Sequence, residues 1–280
     1  MIFVRVMRKT LWVYLALVVA AGVTLVPIYW LVTISLKTVV EQFAVPPLWF
    51  RFKVTLEHYH EIFFLRSFGT YLLNSALVAA VSTGLAVVLG VSAAYALARL
   101  PMKRNWNRNL SFWILSTRMV PPIVTILPLF LLLREVGLLN TRLGLIIVYT
   151  GFNLPFVIWM LRGFFEDVPA ELEEAAWVDG SSRLRALVDI MLPLVAPGLA
   201  ATAVFCLIIA WNEFLFALIL TQTDAAMTLP VGIAGRVTQY EIKWGAMSAG
   251  GVVAMIPVFG FALAVQRYLV RGLSLGAVKG

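Results

Sequence analysis

A chain of 280 residues that is 61% hydrophobic and only 13% charged, with mean hydropathy +0.93, lies outside the soluble globular norm and inside the membrane class. Its net charge of +8 is dispersed over the ends of apolar runs without interleaved aromatics, which points to lipid headgroups and argues against nucleic acid. One cysteine, Cys206, and two histidines exclude an internal disulfide and a thiol-ligated metal within the monomer.

A span needs about 20 mainly apolar residues, and six runs qualify: Leu11–Ile34, Tyr71–Ala98, Leu110–Leu133, Leu143–Leu161, Gly198–Leu220 and Gly245–Val265. The first exceeds a signal-peptide core and no small-residue cleavage site follows it, so it reads as a retained span. Residues 36–68 then form a loop that carries Pro46-Pro47 and both histidines, His58 and His60, for which a polar loop helix is expected rather than a metal pair. The second run ends in a short basic loop, Arg99–Asn109, with four basic residues and no acid. Lys and Arg bias sets orientation. With both termini in the cytoplasm, thirteen basic residues fall inside and eight outside. The third run contains Arg118, which either snorkels back to the headgroups or lines a path.

Between the fourth and fifth runs lies the stretch 162–197, which holds half of the fourteen acids. Pro169 suits the first turn of a helix over about Ala170 to Trp177. Glu171, Glu173 and Glu174 fall in its first half, where the free N–H groups favour negative charge. Gly180 ends that helix, and Ser181 or Ser182 caps a second one to about Leu192. Pro193 and Pro197 argue against its continuing unbent into the fifth run. The small pair Ala175-Ala176 offers a close approach to another protein, with acids around it to meet basic side chains.

The fifth run carries Trp211-Asn212-Glu213. A lone carboxylate in lipid costs at least a few kcal/mol, so Glu213 faces either a polar partner that sets packing or a translocation path. About twenty residues, 221–244, separate the fifth and sixth runs. There Leu229, Pro230, Gly232, Ala234, Gly235 and Gln239 are expected to contact an extracytoplasmic protein, with a cap folded on the chain's own outer surface as the alternative.

No catalytic constellation emerges. There is no GxxxxGK loop, so this chain does not bind and hydrolyse ATP in the usual way, and its serines have no histidine close in sequence. A transporter or a structural membrane subunit remains, and a purely structural anchor would leave Glu213 without a reason. A self-sufficient ion-coupled carrier using Glu213 would have no need of the acidic loop.

EAAWVDG at 174–180, nine further residues and IMLPLVAP at 190–197 resemble the EAA loop of the membrane subunits of binding-protein-dependent ABC importers. GLLNTRLGLIIVYTGFNLPFVIWMLRGFFEDVPAELEEAA at 137–176, AWNEFLFALIL at 210–220, TLPVGI at 228–233 and QRYLVRGLSLGAVKG at 266–280 are similar to the carbohydrate, MalG-like branch. The resemblance covers roughly residues 8 to 280 and is weakest over 37–68. It implies a single all-α permease domain of six helices, of the type I (MetI-like) fold, in a bacterial or archaeal inner membrane. It also implies a second related permease, two cytoplasmic ATPase subunits that hold ATP and magnesium, a solute-binding protein and a sugar. Glu173, Glu174, Ala175, Ala176, Asp179, Gly180, Leu192 and Pro193 would couple to the ATPase, and Trp211, Asn212, Glu213 and Arg118 would border the pathway. A non-sugar cargo such as glycerol phosphate is the alternative within the family.

Overall fold

A computed structural model describes residues 2–64, 67–100, 106–235 and 242–276, with side chains over 10–64, 67–100, 106–235 and 242–266. The described chain is all-α. Five helices are long and apolar enough to cross a membrane, and six if one sharply bent pair counts as a single span. The chain divides into two compact units, Met1–Phe68 with Ile233–Ile256, and Gly69–Gly232 with Pro257–Gly280.

In the first unit, α1 (Ile2–Leu36) is apolar all round and exposed from Thr10 to Pro27, as a helix facing lipid or another membrane chain must be. Among the described residues only its C-terminal end is buried, where Ser35 Oγ meets the Tyr59 hydroxyl at 2.8 Å. Two short helices follow, α2 (Val39–Gln42) and α3 (Glu57–Phe64). Lys37 lies between α1 and α2, with Nζ 4.3 Å from the Trp30 ring centre and 5.2 Å from that of Phe52. Burial holds its pKa below the usual lysine value, with Glu41 acting in the opposite sense. The expected loop helix is present as α3. His58 is a structural residue within it, its Nε2 2.9 Å from the Lys37 carbonyl and 2.8 Å from Gln42 Nε2.

The second unit holds most of α4 (Phe68–Arg99), then α5 (Trp106–Ser116), α6 (Pro122–Glu135), α7 (Arg142–Asp167), α8 (Ala170–Val178), α9 (Arg183–Ala186), α10 (Leu192–Trp211) and α11 (Leu215–Leu220). The short α12 (Leu229–Ala234) and the long α13 (Trp244–Gly276) complete the chain. The core of this unit is apolar and drawn from three long helices: Val91 and Ala94 of α4, Val157, Leu161 and Phe165 of α7, and Met191, Val195 and Cys206 on the α10 side. The i, i+4, i+8 spacing on α7 puts its three residues on one stripe.

Three expectations about continuity change, one of them the fifth run, which is interrupted at Asn212–Phe214. The third run is broken: α5 ends in a 3₁₀ turn, Thr117–Met119, and α6 leaves at 88°. Pro121 and Pro122 are the cause, because proline pushes the residue before it out of the helical region; Val120 and Pro121 have ψ 123° and 131°. The second helix of the acidic loop, expected to reach about Leu192, continues through both prolines. Helix runs from Arg183 to Trp211, with a π turn at Leu187–Met191 immediately before Pro193. A π turn changes the carbonyl spacing ahead of a residue that has no N–H to give.

Candidate functional site

The acidic loop folds as helix, glycine turn, helix. Pro169 lies one position outside α8 rather than in its first turn. At the other end the Gly180 N–H donates to the Trp177 carbonyl at 3.0 Å and the Ser181 N–H to the Ala176 carbonyl at 2.9 Å. That paired pattern is a Schellman cap, which needs a left-handed residue, and Gly180 supplies φ +85°. Ser182, not Ser181, caps α9, accepting from the Arg185 N–H at 3.3 Å. Arg183 lies over the Trp177 ring at 5.4 Å, tying the two helices across the turn.

Helical geometry divides the predicted coupling residues. Glu174, Ala175, Asp179 and Gly180 are exposed, together with Val178, while Glu173 and Ala176 are buried. Neighbours on a helix stand about 100° apart, so the two alanines do not form one outward patch. Glu173, expected to meet a partner's basic side chains, is turned inward: only 2% exposed, it accepts from the Tyr95 hydroxyl and pairs with Arg99 at 3.4 Å. Arg99 also donates to the carbonyl of Val168, between α7 and α8. Leu192 is half-buried and Pro193 exposed at the start of α10.

A second locus is built on one face of α7, where Tyr149, Phe152 and Phe156 follow at i, i+3 and i+7. Two helix interruptions meet it. The 3₁₀ turn before the 88° bend carries Arg118, whose guanidinium lies 4.6 Å from the Phe152 ring centre and 5.4 Å from that of Phe156. Its Nη1 is buried without a hydrogen-bond partner among the described residues. The fifth run is interrupted at Asn212–Phe214. There Glu213 accepts from the Tyr149 hydroxyl at 2.6 Å and from the N–H groups of Phe216 at 2.8 Å and Ala217 at 3.2 Å. The carboxylate thus caps α11 and satisfies donors that a helix start leaves open. Phe216 meets Phe152 edge-on at 5.5 Å. Asn212 is exposed and donates back to the Ile208 carbonyl, and Trp211 is buried against Phe261 of α13.

The segment after the fifth run folds against its own chain. Asp224 accepts from the Tyr71 hydroxyl at 2.6 Å, and Asn74 Nδ2 donates to the carbonyls of Asp224, Ala225 and Met227. Leu229 is fully buried, and its N–H donates to Ser75 Oγ at 2.8 Å. Gly232 lies where a Cβ would enter the Tyr71 ring. The apolar residues Leu229 and Val231 therefore have an internal use; Pro230 and Ala234 are half-buried, Gly235 is exposed, and Gln239 lies outside the described residues. Asn140, at φ 59°, fixes the start of this segment. Its Oδ1 accepts from the N–H groups of Gln222 at 2.8 Å and Thr223 at 3.0 Å.

Sequence reasoning passed over Tyr95, Arg99, Asn140 and Tyr149. The one local signal was the pair Tyr95 and Arg99, one helical turn apart at the end of an apolar run.

Known proteins resemble this chain in sequence or in fold. The trehalose transport system permease protein SugB of Mycobacterium tuberculosis is 41% identical over 278 residues, covering 98% of each chain. A chain of a bacterial ABC transporter that imports the acidic polysaccharide alginate superposes with TM-score 0.76 at 25% identity, covering 93% of this chain and 96% of that one. A chain of the MetNI methionine ABC transporter, at 20% identity and TM-score 0.61 over 72% of this chain and 94% of that one, shares the fold. Residues 86–275 match the model of the binding-protein-dependent transport system inner membrane component, a stretch that takes in the acidic loop, both interrupted spans and α12. This multi-pass membrane chain belongs to that family of ABC-importer permease subunits.

Proposed function

We propose that the whole chain acts as one permease domain of an ATP-driven carbohydrate importer, with both termini in the cytoplasm. It pairs with a second, related permease, and two ATPase subunits carry out the hydrolysis that this non-catalytic chain does not. The exposed side of α8, with Glu174, Ala175, Asp179 and Gly180, docks on an ATPase, and Leu192 and Pro193 pass the motion into α10. Interrupted helices are where membrane transporters place polar groups without exposing free backbone to lipid, so Arg118, Trp211, Asn212 and Glu213 border the pathway. Ala234, Gly235 and Gln239, beyond the buried part of α12, are the contacts left for a solute-binding protein. The observation that carries this reading is the capped helix pair held between two spans, a rigid projection with no catalytic group on it.

A sugar cargo is supported by the trehalose permease and the alginate importer. Arg118 favours one variant of it: a half-buried guanidinium with an unused N–H suits a sugar that bears an acid group. The test is uptake into vesicles by the assembled complex, using labelled trehalose, maltose, an alginate oligosaccharide and glycerol phosphate. ATP-dependent uptake of a saccharide is expected. Uptake of glycerol phosphate alone would overturn the sugar assignment, and proton-driven uptake by this chain without ATPase would overturn the importer reading.

A further inference from the structure

Glu173 is a carboxylate placed under a helix that has little else to hold it. Of the nine residues of α8 only Glu173 and Ala176 are buried, so apolar burial contributes little to fixing this helix. The attachment is polar and directional. Tyr95 and Arg99 occupy the last turns of α4 on one face, four residues apart. The Tyr95 hydroxyl donates to Oε1 of Glu173, and Arg99 Nε lies 3.4 Å from Oε2. Oε1 thus has a hydrogen bond and Oε2 a charge partner, since Arg99 Nε itself makes no hydrogen bond among the described residues; the tyrosine sets direction and the arginine adds attraction. Arg99 Nη2 reaches the Val168 carbonyl at the hinge into α8, and the Tyr95 ring packs edge-on against Phe165 at 5.8 Å. The same side chains therefore hold the end of α7, the hinge and the docking helix to the end of α4. Burying an ion pair rarely adds stability over an apolar replacement. Its use here is geometric.

We propose that Tyr95, Arg99 and Glu173 form a strut that makes α8 and α4 one lever, so that displacement of the docking helix is delivered to α4 instead of being absorbed in the loop. This rests on the reading that α8 docks on an ATPase. All three are positioning residues, because they act on the span and not on cargo or nucleotide. Without the strut, α8 can follow the ATPase while α4 stays behind.

The experiment uses the assembled complex with Cys206→Ala, and spin labels on cysteines replacing exposed Glu171 on α8 and exposed Val88 on α4. With the native strut the distance between labels is expected to be the same with and without a non-hydrolysable ATP analogue and magnesium. In Glu173→Gln, and in the double variant Arg99→Met/Glu173→Met that replaces the pair with apolar side chains, it should change on adding nucleotide. Saccharide moved per ATP hydrolysed should fall about tenfold, within the usual range of coupling between sites, while the ATPase still co-purifies. Tyr95→Phe, which keeps the packing, should show a smaller change in the same direction. If the variants assemble with the native distance and the native ratio of transport to hydrolysis, the strut is overturned. If they lose the ATPase altogether, Glu173 serves docking itself and the proposal is equally overturned. Failure of the underlying reading looks different: the unmodified complex would then move no saccharide on addition of ATP and magnesium, whatever the distance between labels.

Discussion

At the scale of single residues, two carboxylates in apolar surroundings are held by different means. Glu213 is held by a tyrosine and two backbone N–H groups, whereas Glu173 is held by a tyrosine and an arginine. A neutral amide keeps part of the first arrangement's hydrogen bonding and removes the ion pair of the second. Glu213→Gln keeps one acceptor oxygen, which can serve the Ala217 N–H and the Tyr149 hydroxyl while the Phe216 N–H loses its acceptor, so the purified complex should melt a little below the native temperature. Glu213→Ala leaves those donors and the Tyr149 hydroxyl without their acceptor, at a cost of about 1–3 kcal/mol, to be read in the same melting curves. Lost uptake in the Gln variant, with the complex assembled and folded at the assay temperature, would mark the charge as part of the path. Sequence alone placed Glu213 as a group needing a partner, because an apolar run cannot leave it bare. It did not supply Tyr149, which lies 64 positions away and looks like any aromatic in a membrane chain. Glu173 was misread for a related reason: a run of acids says where charge accumulates but not which member turns inward.

Among the elements, local chemistry carried furthest where a residue type permits few conformations. Gly180 at the end of α8, a serine cap on α9 and five of the six expected spans were legible. The 88° bend follows from Pro121-Pro122, yet it lay inside a run whose hydropathy is continuous, and composition does not register direction. The π turn at Leu187–Met191 had no signal of its own; it emerges only when a helix with tertiary support is carried through prolines. At Gly180 a valine would have to adopt the left-handed region, at about 1–2 kcal/mol. Asparagine enters that region more readily, so Gly180→Asn should keep most transport and Gly180→Val should lose it while both variants insert normally in the membrane. Equal activity of the two would show that the turn is not held in this conformation during the cycle. In α12 a leucine at Gly232 meets the Tyr71 ring. The variant should lower thermal stability by about 1–3 kcal/mol, and Tyr71→Ala should restore part of the loss.

For the molecule as a whole, the proposed orientation has a direct check. Val45 and Val178 are 94% and 88% exposed and fall on opposite sides of the membrane in this topology. Single cysteines there, with Cys206→Ala, should react with an impermeant maleimide on intact cells at position 45 only, and at 178 after permeabilisation. Reaction at 178 in intact cells would reverse the topology. The π turn bears on how such a chain tolerates changes in its own length. A one-residue deletion in a regular helix turns everything beyond it by about 100°. Within Leu187–Met191 the wide turn already contains a surplus residue, and removing one closes it to ordinary α-helix with the flanking segments nearly in phase. Deletion of Val188 should therefore leave the docking module facing its partner, while deletion of Ala200 in α10 should turn it aside. The helices of the acidic loop and the long apolar helix after them are joined by a length buffer, so insertions and deletions on one side need not be matched on the other.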